Sequence, residues 1–248
     1  MIDLHSHVLP GVDDGAAIFA ESLAIARAAV EDGIAELAAT PHVRADYPTS
    51  PATMLELVDE LRMRIASEGI PLLIHTGGEI SLDSLDRLTH EELRSFGLGG
   101  SRYLLLEFPY VGWPLDAHER LFRLQLDGFV PVIAHPERSA EVRAAPERLG
   151  PFVELGALVQ VTAASLDGRF GAATQRTAHA LVRGELAQLV ASDAHSPGVR
   201  GIGMSDAART LDGELARWLT ESVPRAILRD ETIPARPSAP GRRRWWRR

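Results

Sequence analysis

The chain contains no cysteine. Disulfides, thiolate-ligated metal and a cysteine nucleophile are therefore excluded, and with them every phosphatase or protease mechanism that passes through a thiolate. Lysine is missing too, since all 26 basic residues are arginine, which removes Schiff-base chemistry and a P-loop lysine. There is no uninterrupted apolar stretch of the roughly 18 residues that a membrane span needs. Apolar residues begin at Ile2 with no charged leader before them, so no signal peptide is indicated and a cytoplasmic location is expected. A formal net charge of −8 argues against general nucleic-acid binding. What remains is a chain of 248 residues, 45% hydrophobic, which is enough for one large core. We expect a single domain over residues 1–233. Residues 234–248 differ in kind: a Pro-rich stretch, PARPSAPG, runs into Arg242-Arg243-Arg244-Trp245-Trp246-Arg247-Arg248. That composition predicts a flexible tail able to make weak contact with an anionic membrane surface, here the inner face of the membrane, or with an acidic partner.

Short apolar runs alternate with amphipathic stretches along the rest of the chain. Strands are expected at Ile2–Leu4, Ile34–Thr40, Leu72–Ile80, Tyr103–Pro109, Val130–Ala134, Ala157–Thr162 and Leu186–Ala191. Helices are expected between them, at Ala20–Asp32 closed by Gly33, Thr49–Glu68 with a Ser-Pro entry, Leu85–Phe96, Leu115–Asp127, Ala140–Leu155 and Gly171–Arg183. Continuous apolar strands separated by helices imply an α/β fold with a parallel sheet covered on both faces, and right-handed crossovers close seven or eight such units into a TIM-like barrel.

In such barrels the C-terminal ends of the strands build the site. The residues at those ends are His5 and His7, His42, Glu79, Glu107, His135, and Asp193 with His195. Histidines at i and i+2 on one strand share a face and can reach one ion, and a carboxylate can return to it through the Pro10-Gly11 turn. Six of the seven expected strands end in a metal-ligand type. The sixth, ending Val161-Thr162, does not. Mixed imidazole and carboxylate donors without sulfur suit Mn2+, Fe or Zn.

These motifs, together with Asp14, Thr40-Pro41-His42, Gly78-Glu79-Ile80, His135-Pro136-Glu137-Arg138 and Ser192-Asp193-Ala194-His195, resemble those of the polymerase and histidinol phosphatase (PHP) superfamily. Within it, the opening MIDLHSHVLPGVDDGA and the HPER motif resemble the CpsB/CapC (YwqE-like) manganese-dependent protein-tyrosine-phosphatases. The resemblance covers residues 1 to about 205. It implies a distorted barrel of the PHP type and hydrolysis of phosphotyrosine by metal-activated water. The substrate it implies is the Tyr-rich tail of a capsule or exopolysaccharide tyrosine autokinase. It implies no oligomeric state. It also implies three divalent ions, most often Mn2+. His5, His7, Glu79 and Asp193 would hold the first, and Glu79 would bridge to a second held by Glu107 and His135. Asp14, His42 and His195 would hold the third. Two positions depart from the family pattern: Gly78 stands where Gln often precedes the bridging Glu, and Ser196 where Asn often follows the last His.

Arg138 and Arg200 match arginines that the family uses with substrate phosphate, and guanidinium grips phosphate bidentately. A general acid is less essential for a phenolate leaving group, the candidates being metal-bound water or Asp193, and Arg44 is a further candidate for phosphate. Trp113 is a candidate wall for a substrate ring. His75 in mid-strand, and His90, His118 and His179 on helices, are expected to play no chemical part, and Asp13 is read as secondary to Asp14. Two other readings stay open: a PHP-type phosphoesterase of small molecules, such as a histidinol-phosphate or nucleotide phosphatase, and a non-catalytic metal-bound regulatory module.

Overall fold

A computed structural model describes residues 1–198 and 200–238. Its strands are β1 (Ile2–Asp3), β2 (Glu36–Ala38), β3 (His42–Arg44), β4 (Tyr47–Pro48), β5 (Leu73–His75), β6 (Glu79–Ser81), β7 (Tyr103–Glu107), β8 (Val130–Ala134), β9 (Leu158–Thr162) and β10 (Leu189–Ala191). The longer helices are α1 (Phe19–Glu31), α2 (Pro51–Ser67), α3 (Ala117–Leu126) and α4 (Ala172–Arg183). Strands β1-β2-β5 make a small parallel sheet, and β10-β9-β8-β7-β6-β3-β4 a larger one, parallel except for the β3–β4 hairpin.

The mixed α/β architecture with parallel strands is the one expected, but neither ladder closes on itself. One expected strand is cut in two and another is followed by a strand that was not expected. Ile34–Thr40 contributes β2 to the small sheet, and past Pro41 a separate β3 joins the large one; Leu72–Ile80 divides into β5 and β6 around Gly77-Gly78. Proline has no N–H for a ladder, and glycine weakens a strand interior. A short seam past the ends of β1 and β10 joins the sheets: His7 N donates to Ala194 O at 2.8 Å and Asp193 N to His5 O at 2.9 Å.

Helix α2 shows why the covering layer forms where it does. Ser50 caps its start, accepting from Thr53 N at 3.1 Å, and Pro51 opens it. Met54, Val58, Leu61 and Ile65, spaced three and four apart, form its buried stripe. Each such side chain contributes about 1.5–3 kcal/mol by leaving water. The expected helix Ala140–Leu155 is instead three short turns, 140–144, 146–149 and 150–154, because Pro146 and Pro151 interrupt its hydrogen bonding. Short helices over 204–228, not anticipated from the sequence, bury Leu219, Val223 and Ile227. The start of the Pro-rich segment lies against the domain: Trp218 Nε1 donates to Pro234 O at 3.0 Å and Arg236 Nη2 to Val182 O at 2.7 Å. The Arg242–Arg248 stretch lies outside the described residues. Among the described residues no helix is long and apolar enough to cross a membrane.

Candidate metal centre

The ligand types stand at the ends of the strands, six at or past a C-terminal end and two at a start. His5 and His7 follow β1, His42 opens β3, Glu79 opens β6, Glu107 ends β7, His135 follows β8, and Asp193 and His195 follow β10. All eight are buried at one end of the sheets; the ninth expected ligand, Asp14, is 39% exposed on the rim. His135 and Asp193 take positive φ, 35° and 53°. For residues with a Cβ this conformation is uncommon and costs of order 1 kcal/mol or more, and it bends the chain sharply as each strand ends.

The donor atoms converge. His5 Nε2 lies 3.2 Å from His7 Nε2 and 3.4 Å from both Glu79 Oε2 and Asp193 Oδ1. His7 Nε2 lies 3.3 Å from Glu79 Oε2 and 3.4 Å from Asp193 Oδ1. Ligands placed about 2.1 Å from one cation are separated by about 3.4 Å at tetrahedral angles, so His5, His7 and Asp193 have the spacing that a divalent ion requires, with Glu79 beside both histidines. Beside it, the expected third group appears with His7 added: donor atoms of His7, Asp14, His42 and His195 lie within 4.8 Å of one another. The expected second group is divided. Glu79 and His135 cluster with His5, whereas Glu79 and Glu107 cluster with His42. Glu79 is the hub, with Oε1 at 2.8 Å from His135 Nε2 and Oε2 at 2.9 Å from His42 Nδ1. Glu79 Oε2 and His42 Nδ1 are buried without a hydrogen bond. Orphaned buried donors of this kind fit cation ligands.

The tautomers follow from the outer partners. His5 Nδ1 faces Gln160 Oε1 at 3.0 Å, His7 Nδ1 faces Asp13 Oδ2 at 2.7 Å, and His195 Nδ1 faces the Asp193 carbonyl at 2.9 Å. Each ring therefore donates outward from Nδ1 and turns the Nε2 lone pair inward. Burial pulls the His5 and His7 imidazoles down, but the surrounding carboxylates outweigh it, so both sit above the ordinary range, His7 well above. Burial also pushes Glu79 and Asp193 up, and the facing histidines bring both below their usual values. His195 is pulled down to about 3, chiefly by burial and then by His7.

Sequence reasoning missed the parts that orient these ligands. Asp13 also accepts from His42 N at 3.0 Å and Gly15 N at 2.9 Å, which makes it the support of the ligand loop. A Cβ on Gly15 would stand 2.2 Å from the His7 carbonyl oxygen, so only glycine lets the loop fold over His7. Strand β9 brings no ligand, yet its Gln160 holds His5 and accepts from His135 N at 3.3 Å. Buried Glu137 accepts from Thr162 N at 2.9 Å and Ser165 Oγ at 2.7 Å, pinning the loop that carries Arg138. The signal available was a lone polar residue in an apolar strand, as in Leu158-Val159-Gln160-Val161.

Both expected arginines reach the centre. Arg138 Nη1 pairs with Asp193 Oδ2; Arg200 Nη1 lies 2.9 Å from Asp14 Oδ2 and Nη2 lies 2.6 Å from His195 Nε2. Arg44 is occupied by Asp46 and lies 3.3 Å from Glu107 Oε2. Trp113 is not on the rim of the cleft: its ring packs 4.8 Å from Phe108 and 6.0 Å from Phe152. His75 meets Glu36 at 2.9 Å, His90 the Asp127 carbonyl at 3.3 Å, His179 the Leu166 carbonyl at 3.2 Å, and His118 stacks on Phe152. Gly78, at the position of the family's Gln, is packed by Phe96: an added Cβ would meet Phe96 Cδ1 at 2.6 Å.

The model of the family described as "Capsular polysaccharide synthesis, CpsB/CapC" matches residues 1–229. The tyrosine-protein phosphatase YwqE of Bacillus subtilis (strain 168) is 39% identical over 249 residues, covering 98% of either chain. The tyrosine-protein phosphatase CpsB of Streptococcus pneumoniae is 29% identical, over 94% of this chain and all of that one. Among solved structures, one from work on YwqE and CpsB, described as unique metal-dependent tyrosine phosphatases, superposes with a TM-score of 0.86. It is 38% identical and covers 96% of this chain and 100% of its own.

Proposed function

The chain belongs to the CpsB/CapC family of capsular polysaccharide synthesis, and from that premise we propose how it acts as a metal-dependent tyrosine-protein phosphatase. The observation that carries the reading is the set of adjoining donor clusters built from His5, His7, Asp14, His42, Glu79, Glu107, His135, Asp193 and His195 beside two guanidinium groups. We read the two sheets as one distorted (β/α)7 barrel, because the seam between them continues the strand order around a ring.

We assign three divalent ions, as Mn2+, following the family resemblance: His5, His7, Glu79 and Asp193 to one, Glu79, Glu107 and His135 to a second that draws on the two donor clusters sharing Glu79, and Asp14, His42 and His195 to a third. Such ions, when bound, supply Lewis acidity toward phosphoryl oxygens and make water acidic enough to attack near neutral pH.

The chain's own groups do the rest. Arg138 and Arg200 reach into a cleft of about 230 Å3 bordered by Asp14, His42, Glu79 and His135, and there they take phosphoryl oxygens. Arg138 is held for this by Asp193 on one side and between the rings of Tyr110 and Phe170, 5.1 and 5.2 Å from its guanidinium carbon. Buried Glu79 and Asp193 stay ionised, which keeps the donor set anionic and balances the incoming positive charge. Water attacks phosphorus opposite the phenolic oxygen, the P–O bond to that oxygen breaks, and negative charge on the phosphoryl group is met by guanidinium. A phenol with a pKa of about 10 leaves without strong acid assistance. Asp193, ionised and paired with Arg138, therefore serves as positioning group rather than proton donor.

We place the enzyme in the cytoplasm, where the phosphorylated tail of a capsule or exopolysaccharide tyrosine autokinase would be its substrate. The test is phosphate release from a phosphotyrosyl peptide by metal-stripped protein reloaded with Mn2+. Turnover that returns with Mn2+ and is absent from the His5→Ala/His7→Ala protein is expected. Stoichiometric metal without turnover would refute the reading.

A further inference from the structure

We infer that Tyr110 is the wall against which the phenyl ring of the substrate packs, and that it sets the preference for aryl over alkyl phosphates; the inference rests on the reading of the cleft given above. Among the described residues, Tyr110 is the single Phe, Tyr or Trp side chain that borders the ligand-bearing cleft. It is 41% exposed. Its backbone carbonyl accepts from Ala140 N at 2.8 Å, which ties its loop to the one that carries His135 and Arg138. The ring is 5.8 Å from the His135 ring and 5.1 Å from the Arg138 guanidinium carbon, so it stands beside the groups that grip phosphate. It also borders a larger cleft of about 390 Å3, where Leu82, Phe108 and Pro109 supply apolar surface.

A phosphate seated at Arg138 is one oxygen away from its organic group. A phenyl ring leaving the small cleft toward the larger one passes Tyr110 and can lie offset against it, a geometry that aromatic pairs favour. An alkyl phosphate offers no ring there. Arg44, which is taken up by Asp46, borders both clefts as well.

The experiment compares Mn2+-loaded wild type, Tyr110→Ala and Tyr110→Phe, with folding of each followed by thermal unfolding. Calorimetry measures binding of phenylphosphonate and methylphosphonate, and kinetics measures kcat and KM for phosphotyrosyl and phosphoseryl peptides of one flanking sequence. Tyr110→Ala is expected to weaken phenylphosphonate about five- to tenfold, and to raise KM for the phosphotyrosyl peptide by a similar factor. Methylphosphonate should weaken several-fold less than phenylphosphonate, since it feels only the loss of the Tyr110 contact with Arg138, and Tyr110→Phe should keep the wild-type preference. Equal losses on both phosphonates would overturn the inference, since they would mean that Tyr110 acts only by holding Arg138; so would no loss on either. If wild type binds phenylphosphonate yet hydrolyses no phosphotyrosyl peptide, the phosphatase reading fails, and the phosphonate comparison still decides the role of Tyr110.

Discussion

Replacing Asp13 by Asn isolates the support of the metal centre from its ligands. The Asp13 carboxylate accepts from His7 Nδ1 at 2.7 Å, His42 N at 3.0 Å and Gly15 N at 2.9 Å. Burial disfavours its charge, but these partners, His7 foremost, hold it at about 2, against 3.8 ordinarily. A depression of that size is worth about 2 kcal/mol to the folded state at pH 7, present above the unfolded value and lost as pH falls through the folded one. The figure agrees with the roughly 1.5–3 kcal/mol of a hydrogen bond to a charged group. Asn keeps the shape and removes the charge. His7 then loses the anion that fixes its tautomer and strengthens Nε2 as a donor, and Mn2+ affinity should fall about 10- to 100-fold. Chelator competition measures that affinity directly, and phosphotyrosyl-peptide hydrolysis against Mn2+ concentration measures its consequence. Asp13→Asn should regain turnover to within about tenfold of wild type at saturating Mn2+, whereas Asp14→Asn, which removes an expected ligand, should not. An unchanged Mn2+ curve for Asp13→Asn would refute the argument. So would a loss that no Mn2+ concentration restores, because that would make Asp13 itself a ligand.

Three further outcomes are expected. Burial raises Asp3 to about 6 from 3.8. The folded state therefore favours the protonated acid, and stability present below pH 3.8 is lost as pH rises through 6, by about 3 kcal/mol in all. In urea unfolding of chelated protein, the stability gap between Asp3→Asn and wild type should widen by that order from pH 4 to 7 and then stay level; a constant gap would remove burial of Asp3 as the cause. His5 and His7 sit above the ordinary imidazole range while the carboxylates around them are ionised, so Mn2+ binding near pH 7 must displace protons and tighten as pH rises. Calorimetry in two buffers of different ionisation enthalpy reads that release, and identical heats would contradict it. Gly78→Ala should cost about 1–3 kcal/mol by driving a Cβ into Phe96, and Phe96→Leu should recover part of that loss in a double-mutant cycle. Additive effects would show that the two positions do not share the space.

The site was more legible in the sequence than the sheet that carries it. Ligand residues announce themselves because chemistry restricts them to a few types at strand ends, so His5, His7, His42, Glu79, Glu107, His135, Asp193 and His195 could be picked from apolar surroundings, and the structure gathers them at one end. The strand β3, which follows β2 past Pro41 and pairs in the other sheet, could not be read the same way. Apolar periodicity reports burial and not pairing, and the loss of a backbone donor at Pro41 changes the pairing without changing the pattern. The same limit hid Gln160 and Asp13, whose roles depend on which histidine nitrogen they face.

That difference bears on what the fold invests at this end of the molecule. Left-handed backbone at His135 and Asp193, the buried charges of Glu79 and Asp193, and a carboxyl forced up at Asp3 each oppose folding. Their compensation is collective. Gln160 holds His5 and His135 together, Glu137 ties the Arg138 loop to Thr162 and Ser165, and Asp13 ties His7 to His42. These supports lie outside the cleft, so they can be perturbed without removing a ligand. If strain at the strand ends is held by them, Glu137→Gln should loosen Arg138 and raise KM more than it lowers kcat, with metal content unchanged. Loss of metal from that protein would instead show that Glu137 holds the ligand His135 and not the phosphate-gripping arginine.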